Sequence, residues 1–273
     1  MRQRRGAPPR RQASARPRRR AAPGARARPS LARVILYLLY ALIITVAGNF
    51  LYQVIRKPTE LFFPVSGALY KTPAETWRAY ADLFRRYATA HVSAELLAAL
   101  AQVEASGNPL VRTYWRWAWP ATPFDFYRPA SSAVGLYQMT DPTFQEARHY
   151  CIHAHQLARE GPWNDWHSCW FNRLYLRVLP GDAIELTAAD LEAKVSAILE
   201  QQGRPAPGAV QLRHLAAVVQ LCGAGTAAAY ARRGYHFSAA QRCGEHDPRQ
   251  YLERVDAFSR EFARLAEEYP LPQ

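Results

Sequence analysis

The sequence predicts an all-α protein, α+β at most, set behind one N-terminal transmembrane helix. Helix-start signals recur along the chain at Thr72-Pro73-Ala74-Glu75, Asp141-Pro142, Thr187-Ala188-Ala189-Asp190 and Asp247-Pro248. Apolar residues follow them at spacings of three and four, the period of a helix face, and no convincing pair of alternating strands occurs. Val34 to Ile55 is a run of 22 residues without a formal charge, rich in Leu, Ile, Val and Tyr. At about 1.5 Å per residue such a helix spans a hydrocarbon core of about 30 Å.

A chain of 273 residues can hold one or two ordinary domains and bury a substantial core. Its net charge of +13 is unevenly placed. Residues 1 to 33 hold 12 Arg and five Pro, with no Lys and no acid, and almost nothing apolar before Leu31. Such a tail cannot offset its ordering entropy and is expected to be disordered. The remainder is close to neutral, which argues against a folded nucleic-acid-binding domain. Arg on the near side of the apolar run, against Arg56 and Lys57 beyond it, puts the tail in the cytoplasm. A buried core helix, or a signal peptide cleaved at Thr45-Val46-Ala47, are the alternatives; Phe50 and Tyr52 fit the interfacial belt of a retained anchor. The expected organisation is a tail at 1–33, a transmembrane anchor at 34–55, a linker at 56–71 and an extracytoplasmic helical domain at 72–269. Asn49 and Gln53 are expected to weaken only the outer end of the anchor.

Thr72 to Glu75 reads as a capping box with Pro at the first helical position, and Trp77, Tyr80, Phe84 and Tyr87 give the helix one apolar face. A second helix starts near Ser93 and carries Leu96, Leu97, Leu100 and Val103. A short ribbon is expected among residues 110 to 138. Asp141 is expected to cap a third helix, and Thr187 to open a fourth through about Gln202. A fifth runs from about Ala209 to Leu221 and breaks at Gly223-Ala224-Gly225; Asp247 caps the last, with Tyr251, Val255, Phe258, Phe262 and Leu265 facing the core.

Four Cys in an exported domain favour disulfides, and proximity pairs Cys151 with Cys169 and Cys222 with Cys243, one of three pairings. A metal site is the rival, because His149, His153 and His155 surround Cys151 and His167 neighbours Cys169. The spacing fits no common zinc pattern, so no metal is expected and the His residues read as a solvated helix face.

Glu104 is the candidate acid. It lies about 20° around the helix from Leu97, beside the apolar stripe, because seven residues make nearly two turns. Burial raises a carboxyl pKa, and a helix C-terminus adds to that pressure. A carboxyl protonated near neutral pH is what glycosidic cleavage needs. A Glu that simply reaches solvent is the plainer alternative. Ser106-Gly107 ends the helix, with Gly expected to supply the left-handed terminus, and Asn108-Pro109 prevents continuation.

Glu104-Ala105-Ser106-Gly107-Asn108-Pro109 and Gly135-Leu136-Tyr137-Gln138-Met139 together resemble the two ordered signatures of soluble-lytic-transglycosylase (SLT) domains. These are lysozyme-like enzymes that cut peptidoglycan between N-acetylmuramic acid and N-acetylglucosamine. The likeness spans roughly residues 92 to 235. It implies a lysozyme-like helical fold, Glu104 as catalytic acid and then base, Gln138 lining the cleft, Gly135 at a tight turn and Asn108 in a structural role. Tyr137 stands where the family has Met. Val219 to Gly225 occupies the place of a third family motif, keeping its glycines but lacking its Tyr and Asn, so Tyr230 or the insert would have to supply a hydrogen bond. The insert before Gly135 carries Trp115, Trp117 and Trp119 in alternation, a face for stacking on sugars or a clamp onto the core. Ser132 precedes the turn and could touch glycan.

The mechanism implied by the resemblance uses the substrate's own 6-hydroxyl as nucleophile. It leaves a 1,6-anhydro end and needs neither a second carboxylate nor a cofactor. The expected partner is peptidoglycan; no envelope-complex partner is legible. A hydrolytic muramidase on the same fold and a non-catalytic wall-binding module are the alternative readings.

Overall fold

The computed structural model describes residues 30–119, 124–165, 168–203 and 207–269. The Arg-rich tail before residue 30 and His167 lie outside them. The chain forms two compact units, one ending at Thr45 and the other beginning at Val46. Among the described residues it is mostly helical, with two small antiparallel ribbons.

Helix α1 (Leu31–Arg56) is longer at both ends than the uncharged run, and it is long and apolar enough to cross a membrane. Its apolar side chains up to Val46 are exposed, as suits a helix that meets lipid. The last turns behave otherwise. Asn49 and Gln53 are buried: Asn49 Nδ2 donates to the Phe124 and Tyr127 carbonyls at 3.0 and 2.8 Å, and Gln53 Nε2 to the Phe124 carbonyl at 2.8 Å. These two amides are docking groups for the insert, which corrects their reading as blemishes on an anchor. The expected linker is ordered too. It comprises a 3-10 turn (Pro58–Phe62), the short α2 (Phe63–Ser66) and a second 3-10 turn (Gly67–Leu69).

Helix α3 (Pro73–Tyr87) opens on the capping box: Glu75 N donates to Thr72 Oγ1 at 3.3 Å, and Thr72 N to Glu75 Oε2 at 2.8 Å. Its Trp77 packs on Phe84 and on Phe262 of α8 (Pro248–Glu268), with centroids 6.1 and 5.8 Å apart. Between them runs α4 (Ala94–Ala105), capped by Ser93, with Leu96 to Ala101 almost wholly inaccessible. Full burial of such side chains, at about 1.5–3 kcal/mol for each large one, is the main stabilising contribution of this layer.

Strands β1 (Trp115–Trp117) and β2 (Tyr127–Pro129) form the expected ribbon. Helix α5 (Asp141–Ala147) has Thr140 at its N-cap position, not Asp141; the Asp141 carboxylate instead takes Arg177 Nη2 at 2.6 Å. Strands β3 (Tyr150–His153) and β4 (Gln156–Arg159) form a hairpin where a helix face had been read, so His153 stands exposed on a strand, His155 in its two-residue loop and His149 just before it. Helix α6 (Pro180–Gln202) begins seven residues before Thr187, which is buried mid-helix beside Asp190. Asp182 caps the preceding turn by accepting from Leu176 N at 2.8 Å. Helix α7 (Ala209–Arg232) kinks at Gly223 (φ 78°), where the break was expected, and then continues. It too is apolar enough to cross a membrane, but Leu215 to Val219 are buried in the core.

Two disulfides, Cys151–Cys169 and Cys222–Cys243, close loops of 18 and 21 residues. The thiols are thus sequestered from metal chemistry, and they fit an oxidising compartment. Among the described residues no group of three or more His, Cys, Asp and Glu could hold a metal ion.

Candidate active site

Helix α4 ends abruptly, which fixes Glu104 in its last turn. Ser106 (φ 48°) is the first left-handed residue and Gly107 (φ 66°) the second, so the helix terminus begins one residue before the glycine. Gly107 is required sterically as well: a Cβ there would lie 2.1 Å from Thr76 Oγ1. Asn108 is wholly buried, donating from Nδ2 to the Ser66 carbonyl at 2.6 Å and accepting from Leu110 N at 2.8 Å. These bonds lock the chain leaving the acid.

Glu104 is half-buried, and its partner comes from the opposite end of the sequence. Tyr251 of α8 donates its hydroxyl to Glu104 Oε1 at 2.5 Å. Burial pushes the Glu104 carboxyl above its ordinary range, and the Tyr251 hydrogen bond and the Arg254 charge only partly offset this. Tyr251 is held well above the ordinary phenol range, by its own burial first and then by Glu104, so it keeps its proton and remains a donor. Oε2 makes no hydrogen bond among the described residues and is not one of the buried polar atoms lacking a partner. It is the carboxyl oxygen that no protein group engages among the described residues. Arg254 also ties α8 to this end of α4, donating to the Val103 carbonyl at 3.1 Å.

The second motif forms a separate wall. Val134 and Met139 exchange backbone hydrogen bonds at 3.1 and 3.0 Å, closing a turn through Gly135 (φ 83°). A Cβ on Gly135 would lie 2.0 Å from the Arg177 carbonyl oxygen, so no other residue fits. Gln138 has left-handed backbone (φ 47°) and donates from Nε2 back to the Gly135 carbonyl at 3.0 Å. It lines a cavity of about 260 Å³ with Thr187, Asp190, Lys194, Gln220 and Gly223. Asp190 is pushed up to about 6 by burial, against the pull of Lys194 and with a small push from Glu146. Lys194 sits 2.7 Å from Asp190 and 3.0 Å from Glu146, bridging α6 to α5.

Gln138 and the Gln220–Gly223 segment therefore meet, but Glu104 is not among the residues lining their cavity. Tyr137 is the physical link between the two regions. Its buried hydroxyl donates to the Leu97 carbonyl of α4 at 3.1 Å, and its own carbonyl accepts from Gln220 Nε2 at 3.0 Å. It is thus a core strut, not a residue presented to ligand.

The remaining expected residues scatter. Tyr230 is buried under Phe237 and Tyr235, at 4.5 and 5.8 Å between centroids, in a packing role. Trp115 packs on Phe50 and Tyr127 and donates its indole N–H to Glu60 at 2.9 Å, which is the clamp reading. Trp117 shares its face, packing with tilted rings against Tyr127 at 4.8 Å while 75% exposed, and Trp119 is 97% exposed. Ser132 accepts from Asp141 N at 3.1 Å and lines a larger cavity described below. Tyr251, Arg254, Asp190, Lys194 and Gln220 were not singled out as site residues from sequence. Tyr251 carried a signal only as a member of the α8 core stripe.

No family model, curated protein or solved structure matches the chain. Chemically, the Glu104–Tyr251 pair can hold a proton on one carboxyl oxygen while anchoring the other, the arrangement a general acid requires.

Proposed function

We propose that this protein is a membrane-anchored, lysozyme-like lytic transglycosylase that cuts peptidoglycan strands outside the cytoplasm, with Glu104 as acid and base. The observation that carries this reading is the half-buried Glu104 carboxyl, raised by burial and pinned through Oε1 by Tyr251. The two sequence signatures around Glu104 and Gln138 support the same substrate class, and α1 with the disulfides supports export to an oxidising space across the bacterial inner membrane.

In this mechanism the Oε2 proton passes to the glycosidic oxygen as its bond to the muramic acid C1 breaks. The N-acetyl oxygen of the same sugar stabilises the charge developing at C1. Glu104, now a carboxylate, takes the proton of that sugar's 6-hydroxyl, whose oxygen closes on C1 to give the 1,6-anhydro end. The nucleophile is already tethered to the reacting centre, so its effective concentration is high and no second protein carboxylate is needed. Tyr251 steadies the carboxylate formed between the two proton transfers.

The test is digestion of purified sacculi with the full-length protein in detergent, the products weighed by mass spectrometry. Anhydro-ended muropeptides from the native chain, and none from Glu104→Gln, are expected. Reducing ends would replace this mechanism with hydrolysis. Equal lysis by the variant would remove Glu104 from the chemistry, and absence of cleavage by both would leave a wall-binding role.

A further inference from the structure

A cavity of about 520 Å³ lies away from Glu104, and one wall is the end of α1. Five cations line it: Arg56, Lys57, Arg116, Arg128 and Arg177. Three have carboxylate partners, Arg56 with Asp125 at 3.3 Å, Lys57 with Glu60 at 3.2 Å and Arg177 with Asp141 at 2.6 Å. Glu60 is also shared with Arg112 at 3.7 Å.

Arg116 and Arg128 have no partner among the described residues. They are nevertheless directly opposite each other in the β1–β2 ribbon, on the face away from Trp115, Trp117 and Tyr127. Like charges opposite each other on one ribbon face repel and destabilise it. Two Arg residues lining one cavity, unpaired among the described residues, are suited to an oxyanion, which Arg binds with paired, charge-assisted hydrogen bonds. Phe62, Val134, Phe144 and Val178 supply apolar wall beside this charge. The location narrows the source of the anion. The uncharged run ends at Ile55, and the next two residues, Arg56 and Lys57, line the cavity, so where that run spans a membrane these two cations stand at the level of the lipid phosphates.

We propose that this cavity binds a phosphate oxyanion between Arg116 and Arg128, supplied by the headgroup of an anionic phospholipid. The site would orient the exported domain on the membrane. It rests on α1 being a membrane span, but not on any catalytic role for Glu104.

The test uses the full chain in neutral detergent, titrated by calorimetry with dihexanoyl phosphatidylglycerol, dihexanoyl phosphatidylcholine and inorganic phosphate. Because the Arg-rich tail also attracts anions, the comparison is between two double variants of equal charge. R116Q/R128Q is expected to weaken phosphatidylglycerol binding by roughly tenfold or more, as loss of charged hydrogen bonds does, while R232Q/R233Q leaves it unchanged. Phosphatidylcholine should bind weakly to all three proteins. Displacement of the lipid by millimolar inorganic phosphate, with the same variant dependence, would assign the site to free phosphate as well as lipid; failure to displace would assign it to lipid alone. Native binding by R116Q/R128Q, or equal weakening by both double variants, would overturn the proposal. Removing the facing charges should leave Tm equal or higher; a fall would give the pair a structural role and likewise overturn it. Wall lysis by R116Q/R128Q in detergent should be unchanged, which separates this site from the one proposed for cleavage.

Discussion

Tyr251→Phe isolates the feature on which the proposed chemistry turns. It removes one hydroxyl and keeps the ring that fills the α4–α8 interface. The lost hydrogen bond, 2.5 Å to Glu104 Oε1, is made to the group that ionises. Bonds of this charged kind contribute about 1.5–3 kcal/mol, so the ratio of carboxylate to carboxylic acid at Glu104 should fall roughly tenfold to a hundredfold. Burial already raises this carboxyl, and Tyr251 is the first of two groups opposing the rise. Its removal must therefore raise it further. Since the protonated form is the active acid, the alkaline limb of kcat/KM against pH follows the acid of the free enzyme and should move to higher pH. The assay is the initial rate of sacculus solubilisation from pH 5 to 9, native chain against variant, with fold checked by circular dichroism. An alkaline limb that stays put, or moves down, would refute Glu104 as the acid or Tyr251 as its regulator.

Gly135→Ala should destabilise strongly, by about 1–2 kcal/mol for the left-handed backbone plus the clash with Arg177, whereas Gly203→Ala, left-handed but with open space around it, should cost only the backbone part; urea denaturation separates them. Replacing either disulfide by two Ser should cost about 3 kcal/mol in the chain-entropy model, read as a lowered Tm that reducing agent no longer changes further at that bridge. Asp190, pushed up to about 6, binds its proton more tightly folded than unfolded, so its contribution to stability is present at low pH and is lost as pH rises from about 4 to about 6. Asp190→Asn should escape that loss, gaining up to about 3 kcal/mol on the native chain between pH 4 and 7 in urea titrations; parallel pH curves would refute the assignment.

What could be read from the chain was local. The Thr72–Glu75 box, the Ser93 cap and the Asp247-Pro248 start each place donor and acceptor within three residues, so sequence alone specifies them. The failures have distant partners. Asp141 was expected at the N-cap, but Arg177, 36 residues on, holds its carboxylate. Thr187 and Asp190 looked like a helix start because polar groups rarely sit inside a core; here both are mid-helix, and Lys194 joins Asp190 to Glu146 of α5, 44 residues earlier in the chain. The hairpin at Tyr150–Arg159 turns on Ala154 and His155, both with positive φ (47° and 64°), where Gly or Asn is the usual signal. Its geometry is held from outside, by the Cys151–Cys169 bridge and by Asn172 Nδ2 donating to the Tyr150 carbonyl at 2.5 Å.

The site divides along the same line. Gly107, Asn108 and Gly135 sit in positions their neighbours demand, and those demands show as motif residues. The partner of the acid does not. Tyr251 is 147 residues from Glu104, and in sequence it is one of five apolar residues at helical spacing, indistinguishable from Val255 or Phe262. Only the packing of α8 along α4 turns one member of that stripe into a hydrogen-bond donor. The consequence is mechanical: Arg254 fastens α8 to the Val103 carbonyl one residue from the acid, so the contact that closes the core also sets the environment of the carboxyl. Perturbing α8 at positions remote from Glu104, such as Phe262 against Trp77, should therefore move the acid's ionisation along with the stability of the fold, whereas perturbing the Gln138 cavity should alter stability without moving it.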